Sequence, residues 1–179
     1  MTLRSAARAA LTLLFATTAG AALAAPPAEA RRAAEEAIKR IRTLDDAGPE
    51  LNAVIVHDPK APAKAAAAAG TGPLEGRTVL IKDNIETAEW PTTAGSLALA
   101  RNTTGRDAPL VANLRRAGGV VLGKANLSEW ANIRSSASTS GWSAVGGLTK
   151  NPHAIDRTAC GSSSGSGAAV AAGMAWAAI

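Results

Sequence analysis

The sequence predicts an α/β fold with a sheet that is at least partly parallel. Residues 77–86, "RTVLIKDNIE", begin with a β-branched and apolar run that predicts a buried strand. Residues 107–119 place apolar side chains on one helical face and end in two glycines, which predicts a helix. Residues 120–126, "VVLGKAN", predict a second strand. A strand, a helix and a strand at this spacing form a βαβ crossover, whose two strands run parallel.

Further elements are predicted on either side of this unit. Residues 29–43 place alanine and isoleucine on one helical face and charged residues on the other, which predicts an amphipathic helix. Residues 51–56, "LNAVIV", form a short apolar stretch. Residues 59–70 begin as a loop and become an alanine-rich helix closed by Gly70. The apolar run at residues 168–172 predicts a buried helix.

Composition restricts the classes of function. The 179 residues are 47% hydrophobic, enough for the core of roughly one domain. The net charge of +5 is not clustered, and one Phe with no Tyr leaves few aromatic platforms for bases, so we expect no nucleic-acid partner. Only two histidines are present, and no C-x-x-C or H-E-x-x-H spacing occurs, so we expect neither a metal nor another cofactor. Cys160 is the single cysteine and cannot form a disulfide within the chain.

The first residues have the pattern of a secretory signal peptide. Arg4 and Arg8 precede an apolar run, and small residues follow with Ala22-Leu23-Ala24 as a cleavage motif. The run is too short to span a bilayer, so we expect no stable membrane anchor. The sequence thus predicts a signal peptide at residues 1–24 and export to the periplasm or the medium.

A glycine- and serine-rich turn occupies residues 157–173, "RTACGSSSGSGAAVAAG", and leads directly into a predicted helix. Such a turn is typical of an anion site or a catalytic site. A P-loop is excluded because no lysine follows Gly161 in the sequence. Residues 161–165 match the G-x-S-x-G pattern of a nucleophile elbow. An elbow follows a strand, however, and residues 151–160 contain a proline and alternating polar residues, which predicts no strand.

Lys82 is the first candidate for chemistry. It follows the first predicted strand, and ligands of parallel sheets bind beyond the carboxyl ends of the strands. Burial disfavours the charged ammonium group and lowers its pKa, so a neutral Lys82 would be able to act as a base. The alternative is that Lys82 forms an ion pair with Asp83 or another carboxylate.

Taken together, these regions resemble the amidase signature family. The resemblance covers nearly the whole chain after the signal peptide and is carried by "LNAVI", "GPLEGRTVLIKDNI", "GGVVLGKANLSEWANIRS", "GWSAVGGLTKNP" and "DRTACGSSSGSGAAVAAG". Within that family, the sequence is most similar to the bacterial peptide amidase branch. The resemblance implies a mixed β-sheet with helices on both faces. It also implies hydrolysis of C–N amide bonds through a Ser–cis-Ser–Lys triad and an acyl-enzyme ester.

The resemblance assigns catalytic roles by position. Lys82 matches the family's base. Ser162 matches the serine whose peptide bond, here to Gly161, is cis and which passes a proton between the nucleophile and the lysine. Ser163 lies beside this pair, where it either supports the triad or is structural.

The family's nucleophilic serine has no counterpart in this chain and is expected just beyond Ile179. The resemblance therefore implies that residues 25–179 are the N-terminal part of a single amidase domain, inactive alone. Asn126, Ser128 and Glu129 in "KANLSEW" also match the family, where they help to order the site. Locally, the pattern from Asn126 to Ser128 is that of a helix cap, so a structural role is favoured.

An exported amidase acting on a small-molecule or peptide amide is the leading hypothesis. One alternative is a protein similar to the amidotransferase subunit that modifies glutamyl-tRNA, which is cytoplasmic and works with other subunits. The predicted signal peptide disfavours it. The other alternative is a non-catalytic secreted binding module. The residues present do not identify the amide substrate.

Overall fold

A computed structural model of the chain describes residues 26–179, so the predicted signal peptide lies outside the described residues. Helices and strands alternate over the first part of this range, and short strands follow. In chain order the elements are α1 (Pro27–Arg40), β1 (Val54–His57), α2 (Ala61–Ala68), β2 (Thr78–Lys82), α3 (Pro109–Arg116), β3 (Val120–Ala125), β4 (Trp142–Ser143), β5 (Gly147–Leu148), β6 (Lys150–Asn151), β7 (Ala154–Thr158), α4 (Ser164–Ala171) and β8 (Ala177–Ala178).

The central sheet has four strands in the order β1-β3-β2-β8. The strands β2 and β3 run parallel, with Thr78 opposite Val120 and Lys82 opposite Ala125. Strand β8 is also parallel to β2, whereas β1 is antiparallel to β3. The predicted βαβ crossover, formed by β2, α3 and β3, is therefore confirmed, and the sheet as a whole is mixed.

Helices cover both faces of the sheet. On one face, α1, α2 and α4 pack in a core cluster that includes Leu80 and Leu122. On the other face, Val111 of α3 packs with Val79 and Ile81. Successive side chains of a strand point to opposite faces, which is why neighbouring residues of β2 enter different clusters. The expected arrangement of a mixed sheet with helices on both faces is confirmed.

The predicted amphipathic helix at residues 29–43 corresponds to α1 followed by a π-helical turn at Ile41–Asp45. Its apolar face is buried as the spacing predicts, at Ala30, Ala34, Ala37 and Ile38. Within residues 26–179, no helix is long and apolar enough to cross a membrane.

Of two predictions about the serine-rich region, the absence of a strand is wrong and the buried helix is confirmed in part. Residues 151–160 do contain a strand, β7, which pairs antiparallel with β6 in a two-stranded ribbon outside the central sheet. The ribbon is mostly exposed, so its polar residues are compatible with a strand. Helix α4 is buried at its polar start as well as in the first half of its apolar run: Ser164 is 1% exposed and Ala169 0%, whereas Val170 is 41% exposed.

Candidate active site

The three residues predicted to carry chemistry lie together. Lys82 ends β2, and its Nζ donates hydrogen bonds to Ser162 Oγ and to Ser163 Oγ, each at 2.9 Å. The peptide bond between Gly161 and Ser162 is cis, as the resemblance implied. A strand end and a turn that are 80 residues apart in sequence thus meet at one point.

The surroundings of Lys82 make its ammonium group easier to deprotonate. The side chain is half-buried, and burial lowers the pKa of its ammonium group. Among residues 26–179, no carboxylate oxygen lies within 4.0 Å of Lys82 Nζ, and Asp83 pairs instead with Lys124. The alternative of an ion pair between Lys82 and Asp83 is therefore wrong. A lysine that is partly desolvated and lacks a counter-ion is suited to accept a proton.

Sheet hydrogen bonds on both sides fix the backbone at Lys82. Its amide donates to the carbonyl oxygen of Ile179 at 2.9 Å, and the Ile179 amide donates back to Leu80 at 3.0 Å. On the other side, the Asp83 amide donates to the Ala125 carbonyl oxygen at 3.1 Å. The base is thus presented from a strand end that is held by both neighbouring strands.

The serine-rich part of the turn, residues 161–165, is held just as closely by the segment after β3. The Ser128 amide donates to the carbonyl oxygen of Ser162 at 3.0 Å, and the Gly165 amide donates to that of Asn126 at 3.0 Å. A Cβ on Gly161 would lie 2.6 Å from Ser128 Oγ, and one on Gly165 would lie 2.5 Å from the Asn126 backbone. Glycine is required at position 165, where the added Cβ would meet backbone atoms, whereas at position 161 it would displace the Ser128 hydroxyl.

The fully buried side chain of Asn126 ties this region to its neighbours. Its Nδ2 donates to the carbonyl oxygens of Asn52 at 2.9 Å and Gly147 at 3.1 Å. Its Oδ1 accepts from the hydroxyl of Ser143 at 2.7 Å and from the amide of Leu127 at 2.9 Å. Asn126 therefore orders the walls of the site and does not reach its centre, which agrees with the favoured structural role.

The prediction that Asn126 to Ser128 caps a helix is wrong. Ser128 makes no side-chain cap, and its Oγ accepts a hydrogen bond from the amide of Gly141 at 2.8 Å. The residues that follow have left-handed φ values, 50° at Trp130 and 54° at Ala131, so no regular helix begins there. Glu129 also binds backbone, since its Oε2 accepts from the Ala144 amide at 3.0 Å.

A buried ion pair near the site was not found from the sequence. Lys124 is completely buried, and its Nζ donates to Ile85 O at 2.7 Å and to Thr92 Oγ1 at 3.2 Å, and lies 3.4 Å from Asp83 Oδ1. Burial lowers the pKa of Lys124 and raises that of Asp83, and their mutual attraction opposes both shifts. The pair thus holds the segment that follows Lys82 against β3, because Lys124 contacts both Asp83 and Ile85. The sequence feature that indicates this pair is Lys124 itself, a charged residue within the otherwise apolar strand β3.

Cys160 directly precedes the cis peptide bond between Gly161 and Ser162. Cys160 is exposed, and its amide donates to the hydroxyl of Thr158 at 3.0 Å. Within residues 26–179, no group of three or more His, Cys, Asp or Glu side chains is arranged to hold a metal ion.

The chain is similar to known amidases in sequence and in fold. The model of the family described as "Amidase" matches residues 32–179. The crystal structure of native peptide amidase from Stenotrophomonas maltophilia is 46% identical with a TM-score of 0.79, over 86% of this chain and 35% of that chain. A "Probable amidase" of Arabidopsis thaliana is 49% identical over 102 residues, which are 56% of this chain and 20% of that protein.

Glutamyl-tRNA(Gln) amidotransferase subunits are also similar. The one from Burkholderia pseudomallei is 43% identical over 162 residues, which are 87% of this chain and 31% of that protein. Across these matches, the chain spans between a fifth and about a third of the length of its relatives.

Proposed function

The chain belongs to the amidase family, and on this premise we propose that its protein hydrolyses C–N amide bonds by a serine mechanism in which Lys82 is the base. One observation carries the proposal. Lys82 Nζ lies 2.9 Å from Ser162 Oγ and has no carboxylate partner among residues 26–179. A neutral amine in hydrogen-bond contact with a hydroxyl is the arrangement that general-base catalysis requires.

The proposed reaction moves one proton along Lys82 and Ser162. The attacking serine hydroxyl gives its proton to Ser162 Oγ while Ser162 passes its own proton to neutral Lys82, and the new C–O bond forms at the amide carbon. The proton then returns through Ser162 to the amide nitrogen as the C–N bond breaks. Water repeats the sequence on the resulting ester, so one amide and one water yield an acid and an amine or ammonia.

We assign the attacking hydroxyl to a serine that follows β8. Strand β8 is parallel to β2, and the carbonyl oxygen of Ile179 accepts the Lys82 amide. A chain that continues from β8 therefore emerges at the same edge of the sheet as Lys82. Ser163, whose Oγ is also 2.9 Å from Lys82 Nζ, is assigned a supporting role because it shares the lysine with Ser162.

The test is an amidase assay on the full translation product of the gene that encodes this chain. Ammonia released from N-acetyl-L-phenylalaninamide is measured with and without a chelator, and turnover should be independent of the chelator. Lys82→Ala should lose nearly all turnover, Ser162→Ala should lose a similar amount or less, and the double variant should be little worse than the worse single variant, because the two act as a unit. Undiminished turnover in Lys82→Ala would remove Lys82 from the mechanism.

A second candidate is glutamine-dependent amidation of glutamyl-tRNA. The similarity to a glutamyl-tRNA(Gln) amidotransferase subunit over 87% of this chain favours it. The two candidates differ in their need for other subunits and tRNA. Hydrolysis of a simple amide by the isolated protein supports the first, whereas turnover that appears only with the other subunits and tRNA supports the second.

We also propose that the protein is exported. The support is the sequence of residues 1–24, with Arg4, Arg8, the apolar run and Ala22-Leu23-Ala24. N-terminal sequencing of protein from the periplasm or medium should begin at Ala25. Intact Met1 on protein recovered from the cytoplasm would contradict the proposal.

A further inference from the structure

A short turn at residues 93–96 lies between the strand end that carries Lys82 and the segment that holds the serine-rich residues 161–165. Thr93, the first residue of this turn, is buried and only 5% exposed. Its hydroxyl donates a hydrogen bond to Asp83 Oδ2, and its amide donates to the same oxygen at 3.3 Å. Because Asp83 directly follows Lys82, the 93–96 turn is attached to the residue next to the proposed base.

The Thr93 hydroxyl also shapes the turn itself. It accepts a hydrogen bond from the Gly95 amide at 3.0 Å. Between them, Ala94 has a φ of 50°, a left-handed value that costs a non-glycine residue free energy and persists only where its surroundings enforce it. The Ala94 amide donates to the carbonyl oxygen of Asp83 at 2.9 Å. One hydroxyl therefore fixes both the shape of the turn and its attachment to Asp83.

On its other side, the 93–96 turn binds the wall of the site. The Trp130 amide donates to the carbonyl oxygen of Ala94 at 2.9 Å. The Val145 amide donates to that of Gly95 at 3.1 Å. A Cβ on Gly95 would lie 2.7 Å from the Cβ of Ser143, so the turn packs directly on this wall.

These contacts close a ring that includes the two residues proposed to carry out catalysis. Ser128, two residues before Trp130, donates its amide to the carbonyl oxygen of Ser162 at 3.0 Å. Ser162 Oγ lies 2.9 Å from Lys82 Nζ, and Lys82 is joined to the 93–96 turn through the next residue. Close-packed interiors transmit strain, so a change at Thr93 is felt at the contact between Lys82 and Ser162.

No neighbouring group takes the place of the Thr93 hydroxyl. Asp83 is 1% exposed, so water does not reach its carboxylate. Lys124 Nζ lies against the other carboxylate oxygen, 3.4 Å from Oδ1. Without the hydroxyl, Asp83 Oδ2 keeps only the longer bond from the Thr93 amide, and the Gly95 amide loses its acceptor. Unpaired buried polar groups are costly, which favours a shift of the turn.

We propose that Thr93 is a positioning residue of the amidase reaction, whose hydroxyl sets the distance between Lys82 and the serine-rich residues 161–165 through Asp83 and the 93–96 turn. The hydroxyl acts through Asp83 and not on the substrate. Proton transfer to a general base needs a heavy-atom distance of about 2.6–3.2 Å, so a small displacement is costly in rate. The inference rests on the proposed function, since it assigns a further residue to that same site.

Replacing the hydroxyl by a methyl group tests this role. In the full translation product, Thr93→Val should lower kcat for N-acetyl-L-phenylalaninamide about 10- to 100-fold, the cost of a displacement near 1 Å between reacting groups. KM should stay within about twofold, because the interaction that is lost matters in the transition state and not in substrate binding. Thr93→Ser should retain most of the kcat, whereas Thr93→Ala should lose it. This second pair differs only in the hydroxyl and decides the question if valine is not accommodated.

Thr78→Val is the matched control. Thr78 is also 5% exposed and lies at the opposite end of β2 from Lys82. The same substitution there should change neither kcat nor KM. An undiminished kcat in Thr93→Val, or an equal loss in Thr93→Ser and Thr93→Ala, would overturn the proposal.

Trace acetylation of lysine amines measures the positioning without turnover. Only a neutral amine reacts with acetic anhydride, so the pH midpoint of Lys82 acetylation, measured by mass spectrometry, reports the pKa of Lys82. In Thr93→Val, Lys82 should lose its contact with Ser162 and become more hydrated, so the midpoint should move up toward the ordinary lysine value of about 10.4. Thr93→Ser should keep the wild-type midpoint. Lys124 is completely buried, so its lack of acetylation in the same digest shows that each variant is folded.

The two measurements distinguish a failure of this inference from a failure of the proposed function. If the wild type cleaves no amide but the midpoint shifts in Thr93→Val, the proposed function fails and the coupling of Thr93 to Lys82 stands. If the wild type cleaves the amide and Thr93→Val changes neither kcat nor the midpoint, the positioning role fails and the proposed function stands.

Discussion

Replacing Lys124 by methionine should destabilise the fold by about 3–5 kcal/mol, the usual cost of removing one partner from a buried ion pair. Lys124 and Asp83 are each 1% exposed at the side chain, so water is unable to compensate the remaining charge. Methionine keeps most of the apolar stem, so the loss of packing is small. The carbonyl oxygen of Ile85 and the hydroxyl of Thr92 lose their donor as well. A loss of this size is a large part of the total stability of a typical domain, about 5–15 kcal/mol.

Urea unfolding of the full translation product, followed by tryptophan fluorescence, measures this change. The double variant Lys124→Met with Asp83→Asn should recover much of the loss, because no charge is left unpaired. Arg106→Met is the matched control, because Arg106 pairs with Glu86 at the surface and its side chain is 74% exposed. The urea midpoint of this variant should not differ measurably from that of the wild type.

The pH dependence of this variant provides a second check. Burial raises the pKa of Asp83, and without Lys124 it should rise further. The folded state then binds the Asp83 proton more tightly than the unfolded state, so the stability gained from protonation is present at low pH and lost as pH rises. The deficit of Lys124→Met should thus shrink at pH 5 relative to pH 8. A deficit below about 1 kcal/mol at pH 8, or a double variant as unstable as the single one, would refute the reasoning.

Three other changes have definite expected outcomes. Gly165→Ala should abolish the circular dichroism spectrum of the folded protein, because the added Cβ would overlap the carbonyl oxygen of Ala53. Gly167→Ala is the control and should fold, because its Cβ meets nothing within 4 Å. Equal folding of the two variants would be inconsistent with this packing. Burial raises the pKa of Asp45 to about 6, so the stability gained from its protonation is present below about pH 4 and lost as pH rises through 6. In urea unfolding, Asp45→Asn should remove this loss of stability. A pH profile of stability that the substitution leaves unchanged would contradict the assignment. Ser163→Ala should reduce kcat less than Ser162→Ala, and an equal loss would contradict the supporting role of Ser163.

The sequence predicted the central part of the fold because apolar patterns there are strong and local. The β2-α3-β3 unit alternates two buried runs with one amphipathic helix, and its topology follows from spacing alone. Strand β7 was missed because its partner β6 lies outside the core, so no apolar pattern marks it. The burial of α4 was predicted only in part, because Gly165 lets its polar start pack on the Asn126 backbone, which sequence periodicity does not report.

In the candidate site, too, features with a local sequence pattern were predicted and features that depend on tertiary contacts were not. Lys82 was predicted from its place at a strand end, but its contact with Ser162 depends on a tertiary approach across 80 residues, which only the family resemblance indicated. Ser128 was interpreted as a local cap because its long-range partner, the amide of Gly141, is invisible in sequence. The pairing of Asp83 with Lys124 rather than Lys82 likewise depends on which faces of neighbouring strands the side chains occupy.

The pH dependence of kcat/KM tests the role of Lys82 most directly. Burial lowers the pKa of Lys82, and catalysis by this base requires the neutral form. For N-acetyl-L-phenylalaninamide, kcat/KM should therefore rise about tenfold per pH unit on the acidic side and level off at a pKa below the ordinary lysine value of about 10.4. The rise should be absent from the residual activity of Lys82→Ala. A flat wild-type profile, or the same rise in Lys82→Ala, would show that another group is the base.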